Sequence, residues 1–267
     1  MENCLEIERS IITKFRKQIW AKFIKAIKDF ELIQDGDKIA VCISGGKDSM
    51  LLAKCMQELL RHRKINFGLK FIVMNPGYSN ETIDKINENL KILNIDACIF
   101  ETDIFKFADT TKSPCYMCAK MRRGSLYSKA KELGCNKIAL GHHFDDVVET
   151  VLLNMIYNGE FSSMMPKLHS DNFSGLELIR PLYLIEEKDI IGWSKYNNLT
   201  FIDCACSVTK KSVGKRREIK KLISDLKEIY PAAHKCILSS TSNVNLNTVL
   251  GYKKNKEKFN FLDEYYR

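Results

Sequence analysis

Unbroken apolar runs alternate with amphipathic stretches along the central part of the chain. The pattern predicts strands near 39–44, 69–75, 96–101 and 137–142, separated by helices near 49–63, 80–93 and 117–134. Continuously apolar strands are typical of a parallel sheet that is covered on both faces. We therefore predict an α/β fold with a doubly wound parallel sheet, whose ligands bind at the carboxyl ends of the strands.

Amphipathic patterns also flank this region. Apolar residues at steps of three and four predict one helix over residues 10–30, which packs on the main domain or builds a homodimer contact. Residues 178–182 predict an edge strand ended by proline, and helices follow near 187–197, 214–229 and 233–243. The polar, lysine-rich C-terminus is expected to fray. The predicted divisions are an N-terminal helix (1–33), a central domain (34–210) and a basic helical extension (211–267).

Composition narrows the functional classes. A chain of 267 residues that is 45% hydrophobic fits one large α/β domain with a small appendage. No apolar run is long enough for a membrane span and the charged N-terminus does not resemble a signal peptide, so we expect a cytoplasmic protein without a membrane partner. The ten cysteines are then expected to be reduced. A net charge of +9 suits a polyanionic partner, although a lysine-rich proteome gives the same charge.

A glycine-rich motif follows the first predicted strand and opens a helix. It consists of Ser44, Gly45, Gly46, Lys47, Asp48 and Ser49. Glycines let the backbone turn sharply and approach a ligand, and the helix N-terminus with Lys47 attracts phosphate. The motif is not a Walker A loop, because Asp48 follows the lysine where that loop has Ser or Thr. It predicts a nucleotide phosphate site; the alternative is an ordinary tight strand–helix junction.

A second motif follows the fourth predicted strand. It consists of Gly141, His142, His143, Phe144, Asp145 and Asp146, followed by Glu149 and Thr150. The two aspartates could simply cap the next helix. Two acids beside two histidines at the end of a parallel strand also suit Mg²⁺ held against a nucleotide, and we favour that interpretation.

Clustered cysteines carry a third signal. Cys115 and Cys118 form a C-x-x-C pair at a predicted helix start, followed by Arg122 and Arg123. Half a zinc site, a redox dithiol and part of an iron–sulfur cluster are the three readings. Cys204 and Cys206 add two thiols, which is enough for an iron–sulfur cluster, with four-thiolate zinc as the alternative.

A basic run follows these last cysteines. It comprises Lys210, Lys211, Lys215, Arg216, Arg217, Lys220 and Lys221. Such a run is usually a solvated helix face. Its place next to the cysteines favours a contact with the RNA backbone. The run lacks the interleaved aromatic residues that would stack on bases. The candidates for the backbone contact are Lys210, Lys211, Lys215, Arg216 and Arg217.

Taken together, these motifs resemble those of a known superfamily. Ser44–Ser49 resembles the PP-loop of the ATP pyrophosphatases, and Gly141–Thr150 resembles their second signature. Between them, Pro114–Cys118 resembles a motif of the tRNA thiolation branch of this superfamily. That branch contains the tRNA 2-thiocytidine synthetases and the related tRNA 2-thiouridine synthetases. The resemblance covers about residues 20–245 and implies an adenine nucleotide alpha hydrolase-like fold, with 34–210 as the ATP-binding catalytic domain.

The resemblance also implies a reaction. ATP adenylates a base carbonyl oxygen with release of pyrophosphate, and sulfide on a [4Fe–4S] cluster displaces AMP. Cys115 and Cys118 match the first two cluster ligands, and the third is Cys204 or Cys206. The thiocytidine enzymes have Cys-x-x-Cys where this chain has Cys-Ala-Cys. With this spacing a fourth thiolate ligand, which would close the free position of the cluster, stays an open alternative. The sequence does not show the zinc-finger cysteines of the thiouridine enzymes, which favours the thiocytidine synthetases as the more similar group.

The resemblance assigns roles to residues. Asp48, Asp145 and Arg122 are the catalytic candidates, the two aspartates positioning Mg²⁺ or the adenylated intermediate. The ATP site is expected to comprise Ser44, Gly45, Gly46, Lys47, Asp48, Ser49, Val73, Met74, Asn75, Gly141, His142 and Asp146.

We therefore predict an ATP-dependent tRNA sulfurtransferase that forms 2-thiocytidine in the anticodon loop. Its cofactors would be ATP, Mg²⁺ and a [4Fe–4S] cluster, and its partners tRNA and a sulfur donor, either a cysteine desulfurase or free sulfide. The rivals are another PP-loop ligase such as tRNA lysidine synthetase, sulfur transfer to a different nucleobase or small molecule, and a non-catalytic module that binds zinc or nucleotide.

Overall fold

A computed structural model describes residues 2–105, 114–202, 209–255 and 257–265 of the chain. Within these ranges, side chains are described except at 2–3, 114–116, 118–119, 209–213 and 264. No helix in this described part is both long and apolar enough to cross a membrane.

A six-stranded sheet forms the centre of the molecule, in the order β3-β2-β1-β4-β6-β5. All neighbouring strands pair in parallel except β5, which runs antiparallel to β6. The strands are β1 Lys38–Ile43, β2 Gly68–Asn75, β3 Ala97–Glu101, β4 Lys137–Ala139, β5 Lys167–His169 and β6 Glu177–Ile179. The predicted α/β class and the four predicted parallel strands are confirmed.

Helices precede, connect and follow these strands. They are α1 Glu2–Ile12, α2 Ala21–Asp29, α3 Lys47–Arg61, α4 Asn80–Ile92, α5 Pro114–Glu132, α6 Phe144–Asn158, α7 Glu187–Tyr196, α8 Thr209–Ile229, α9 Ala233–Ser240 and α10 Leu262–Tyr265. The last 20 or so residues include a hairpin of β7 Gly251–Lys254 and β8 Glu257–Asn260.

Alternation along β1 shows why its run is apolar throughout. Val41 and Ile43 pack into a large cluster with α2 and α3, whereas Ala40 and Cys42 pack with Tyr127 of α5 on the other face. Because both faces are covered, every position of the strand is buried after Lys38.

Two expectations about the elements are corrected. The strand at residues 177–179 is not at the edge: it lies between β4 and β5, and the three-residue β5 forms the edge. The single helix predicted over 10–30 is interrupted, because α1 ends at Ile12 and a short π-helix, Arg16–Trp20, precedes α2. At the break the Phe15 amide donates to the Ser10 carbonyl (2.9 Å), and the Phe15 ring packs edge-on against Tyr196.

Helix α1 is attached to α3 by a buried ion pair. The Lys54 ammonium is fully buried and bonds Glu8 of α1, the Gln57 side chain (2.6 Å) and the Leu93 carbonyl (2.7 Å). Glu8 also bonds Arg61. Burial opposes ionisation of Glu8, but hydrogen bonds from Arg61 and Lys54 hold its pKa below the ordinary value.

Candidate active site

The glycine-rich motif forms the predicted strand–loop–helix turn. β1 ends at Ile43, Gly45 has a positive φ of 87°, and Gly46 precedes the first residue of α3. Inside the loop the Ser49 hydroxyl donates to the Gly46 carbonyl (2.9 Å) and accepts from the Ser44 amide (3.1 Å). The Ser49 hydroxyl therefore stabilises the conformation of the loop. Ser44 is exposed and precedes the N-terminus of α3, the part of a helix where anions bind.

Gly141 brings the second motif against this loop. A Cβ on Gly141 would lie 3.0 Å from the Ser49 nitrogen and 3.1 Å from the Asp48 carbonyl carbon. Because both atoms belong to the backbone of α3, no side-chain movement relieves the contact. The two motifs, far apart in sequence, therefore meet at the carboxyl edge of β1 and β4.

Three aspartates surround the buried His143 ring. Its Nε2 lies 3.8 Å from Asp48 and 3.5 Å from Asp146, and its Nδ1 lies 3.8 Å from Asp145. Asp146 also accepts from the His143 amide (3.0 Å), so the capping role considered from the sequence is real and coexists with this cluster. Burial raises the pKa of Asp48, against the opposing effects of His143 and Lys47.

Lys47 is held by acids on two sides. Its ammonium lies 3.3 Å from Asp48 and 3.0 Å from Glu187, the first residue of α7. Burial works against the charge, yet both carboxylates raise the pKa of Lys47. Burial likewise opposes ionisation of Glu187, but hydrogen bonds from Lys220 and Lys47 lower its pKa to about 2. The Glu187 amide also donates to Asp145 (2.6 Å).

Glu187 was not found from the sequence, and Lys220 was named only as a member of the basic run. Lys220 of α8 bonds Glu187 (2.9 Å), and buried Glu149 of α6 accepts from Arg216 (2.9 Å). Arg216 therefore lies against the acids of the second motif rather than on a free basic face. Lys215 instead lies 4.5 Å above the Tyr157 ring, while Arg217 is exposed.

Arg180, which was not among the predicted site residues, contacts His142. Arg180 follows β6, is buried, and donates through Nε to Nδ1 of His142 (3.3 Å). Burial lowers the pKa of His142 to about 4, and the nearby positive charge of Arg180 contributes in the same direction. His142 is therefore neutral at pH 7, with Nδ1 as an acceptor and the proton on Nε2.

The expected adenine contacts follow β2. The side chains of Val73 and Met74 are buried in the core, so only their backbone groups are left to face a nucleotide. Asn75 Oδ1 accepts from the amides of Gly77 (3.0 Å) and Tyr78 (2.7 Å) and forms a turn. The Tyr78 hydroxyl accepts from Arg122 (2.8 Å), which joins the start of α5 to the end of β2.

Ile202 connects the phosphate loop to the second cysteine pair. A Cβ on Gly45 would lie 2.6 Å from Cδ1 of Ile202, and one on Gly46 would lie 3.9 Å from its carbonyl oxygen. Cys204 follows Ile202 by two residues. Ile202, two residues before Cys204, therefore lies against the phosphate loop.

Several predicted residues fall outside the described part. Cys204 and Cys206 lie between residues 202 and 209, which the structure does not describe. Cys115 and Cys118 lie in the first turns of α5, and Lys210 and Lys211 in the first turn of α8, but their side chains are not described.

The acids of the site differ in how well they suit Mg²⁺. Among the described side chains, no group of three or more His, Cys, Asp and Glu is arranged to hold a metal ion. The buried Oδ1 of Asp48 nevertheless lacks a hydrogen-bond donor. This oxygen lies 3.3 Å from the Lys47 ammonium without a hydrogen bond. A carboxylate beside a phosphate site fits the usual mode of Mg²⁺, which uses one or two carboxylates together with substrate phosphates.

Comparison with known proteins identifies relatives over most of the chain. A family model described as a PP-loop domain matches residues 15–221. The tRNA-cytidine(32) 2-sulfurtransferase of Syntrophotalea carbinolica is 39% identical over 224 residues, which cover 82% of this chain and 86% of that protein. The protein of the same name from Citrifermentans bemidjiense is 35% identical over 243 residues, covering 90% and 93%.

A solved structure shares the fold. The U34-tRNA thiolase NcsA from Methanococcus maripaludis, with its [4Fe-4S] cluster, superposes with a TM-score of 0.67 at 23% identity. The match covers 88% of this chain and 80% of that one.

Proposed function

The chain belongs to the PP-loop family, and from this premise we propose that it is an ATP-dependent tRNA sulfurtransferase that forms 2-thiocytidine in the anticodon loop. The observation that carries the proposal is the meeting of three segments at one edge of the sheet. The phosphate loop contacts the acidic motif through Gly141, and the approach to the second cysteine pair through Ile202. The resemblance to PP-loop thiolases stated from the motifs is confirmed by the relatives.

The first half of the proposed reaction uses the phosphate loop. Backbone amides at the start of α3 and the Lys47 ammonium hold the ATP phosphates. The base O2 bonds to the α-phosphorus as the bond from that phosphorus to the bridging oxygen breaks, and pyrophosphate leaves. Asp48 and Asp145 would hold Mg²⁺, which would neutralise the charge on the departing pyrophosphate.

The second half replaces oxygen by sulfur. Sulfide forms a bond to C2, the C2–O bond breaks, and AMP leaves with that oxygen. Sulfur enters as sulfide, so the exchange requires no external oxidant or reductant. Arg122, held by Tyr78 at the end of β2, supplies a positive charge near the start of α5.

Four cysteines are the candidate ligands of an iron–sulfur cluster. Cys115 and Cys118 form the C-x-x-C pair of the sequence. With Cys204 or Cys206 they would hold a [4Fe–4S] cluster. When bound, such a cluster supplies a site for sulfide beside the activated base. The sulfur donor is free sulfide, or a cysteine desulfurase whose persulfide is reduced by a thiol and so releases sulfide.

Anaerobic assay of the purified protein tests the proposal. ATP, tRNA, Mg²⁺ and sulfide are expected to yield AMP, pyrophosphate and 2-thiocytidine in equal amounts, with nucleosides identified by mass spectrometry. Unchanged thionucleosides in tRNA from a strain lacking the gene would overturn the assignment. AMP formation without a thionucleoside would instead indicate a PP-loop ligase.

A further inference from the structure

The C-terminal hairpin carries a charge pattern that the proposed reaction does not use. In the register of β7 and β8, Lys253 lies directly opposite Lys258, and Tyr252 opposite Phe259. The hairpin lies beyond the residues 15–221 that match the PP-loop domain. It is therefore an addition to the catalytic domain rather than a part of it.

The two faces of the hairpin differ in chemistry. Side chains alternate between faces along a strand, so Lys253 and Lys258 share one face while the rings occupy the other. The rings of Tyr252 and Phe259 stack, with centroids 4.8 Å apart and planes 12° apart. This pair is half-buried and stiffens the hairpin, which presents its lysines as a fixed pair.

The opposed lysines lack a local counter-charge. Like charges directly across a strand pair destabilise a sheet. Both lysines are exposed, and neither forms an ion pair with the described residues. The hairpin acid Glu257 lies opposite Lys254, on the face of the rings. An external anion is therefore the natural partner of this face.

We propose that the Lys253–Lys258 face contacts the phosphate backbone of tRNA outside the reacting loop, a proposal that rests on the proposed function. The lysine pair is not joined by an aromatic side chain that could stack on a base, because the rings of Tyr252 and Phe259 lie on the other face. It therefore suits sequence-independent contacts that position the substrate rather than read its bases.

Salt-dependent tRNA binding by the full chain tests this proposal. The double variant Lys253→Gln/Lys258→Gln is expected to weaken binding by about tenfold and to reduce the slope of log K against log salt by about two. The double variant Lys253→Arg/Lys258→Arg should restore both values. Lys64→Gln/Lys91→Gln is the matched control: it removes the same charge from exposed lysines after α3 and within α4, and should leave the slope nearly unchanged.

The outcomes separate the two proposals. If the hairpin variant binds tRNA like the wild type and thiolates it with the same kcat/KM, the hairpin proposal fails and the proposed function stands. If the wild type neither binds nor thiolates tRNA, both fail. Lowered kcat/KM for tRNA, with unchanged kcat and unchanged ATP affinity, supports a docking contact. If the hairpin variant lost binding to phosphatidylserine vesicles but kept tRNA binding, the lysine face would be assigned to a membrane surface and the hairpin proposal would be overturned.

Discussion

The ammonium of Lys47 and the carboxylate of Glu187 lie 3.0 Å apart, so the lysine expected to bind phosphate already has an anionic partner. Glu187 in turn bonds Lys220 of the basic helix α8. ATP must therefore compete with Glu187 for the charge of Lys47.

Removing that competitor should strengthen ATP binding. In Glu187→Gln the side chain keeps its size and the backbone amide can still donate to Asp145, but the negative charge is lost. We expect Kd for ATP to fall about fivefold, the equivalent of roughly 1 kcal/mol for a partly buried ion pair. Isothermal titration calorimetry measures it. Glu88→Gln removes an exposed acid paired with Lys85 and should leave Kd unchanged. A weaker affinity in Glu187→Gln would show that Glu187 positions Lys47 rather than competing for it.

Gly141 should be intolerant of any side chain. A Cβ there meets backbone atoms of Asp48 and Ser49 at 3.0–3.1 Å, so Gly141→Ala must push β4 and α3 apart. We expect a loss of about 1–3 kcal/mol of unfolding free energy, with ATP binding lost as well. Thermal unfolding and nucleotide titration check both. Gly124→Ala is the control, because a Cβ within α5 meets nothing within 4 Å, and the free energy of unfolding should rise slightly. An unchanged melting temperature in Gly141→Ala would contradict the contact.

His142 should make the protein sensitive to mild acid. Its folded pKa is about 4, whereas the ordinary value is 6.5. Between these values the unfolded chain binds a proton that the folded chain does not, so the free energy of unfolding falls as pH drops from 6.5 to 4. Allowing for partial exposure, the loss is on the order of 1–2 kcal/mol.

Urea unfolding at several pH values measures this effect. His142→Gln should flatten the dependence between pH 6.5 and 4.5, while His169→Gln, at a ring that is 89% exposed, should not. Loss of stability below pH 4.5 is expected in all variants. The folded pKa of Glu187 is about 2, so between pH 4.5 and 2 the unfolded chain binds a proton at Glu187 that the folded chain does not. An equal slope in the wild type and His142→Gln would refute the assignment.

Cysteine variants should divide into two classes. Anaerobically purified Cys115→Ser and Cys118→Ser are expected to lose iron, while still binding ATP, because the phosphate loop is formed by other residues. Only one of Cys204→Ser and Cys206→Ser should lose it if three thiolates hold the cluster. Iron, zinc and sulfide analysis gives the readout. Cys98→Ser and Cys236→Ser alter exposed free cysteines and serve as controls. Zinc in place of iron in the wild type would contradict the cluster.

Much of the fold could be predicted because its signals are local. Strands β1 to β4 are apolar runs bounded by turn residues, and α4 begins directly after a serine cap, Ser79. The break near Phe15 could not be predicted, because apolar residues continue at helical steps on both sides of it. The edge strand β5, Lys167–His169, carries no strand pattern and exists through its pairing with β6.

The candidate site divides in the same way. Its motifs were visible because each occupies consecutive residues after a strand. Arg180 and Glu187 were missed because they are single residues on elements without a motif. Lys220 was visible only as part of the basic run, and only folding brings these residues to the phosphate loop and the acids. The direction of Arg216 was equally hidden, since helical spacing gives a basic face but not the buried Glu149 beneath it.

The buried ammonium of Lys54 has a consequence for where this protein can be cut. The region matched by the PP-loop domain begins at residue 15, whereas Glu8, the acid that neutralises Lys54, lies before it. A fragment that starts at residue 15 would keep an interior cation and lose its counter-ion, which typically costs about 3–5 kcal/mol. Family boundaries thus mark what is shared among relatives, while the smallest piece of this chain that folds well should include α1.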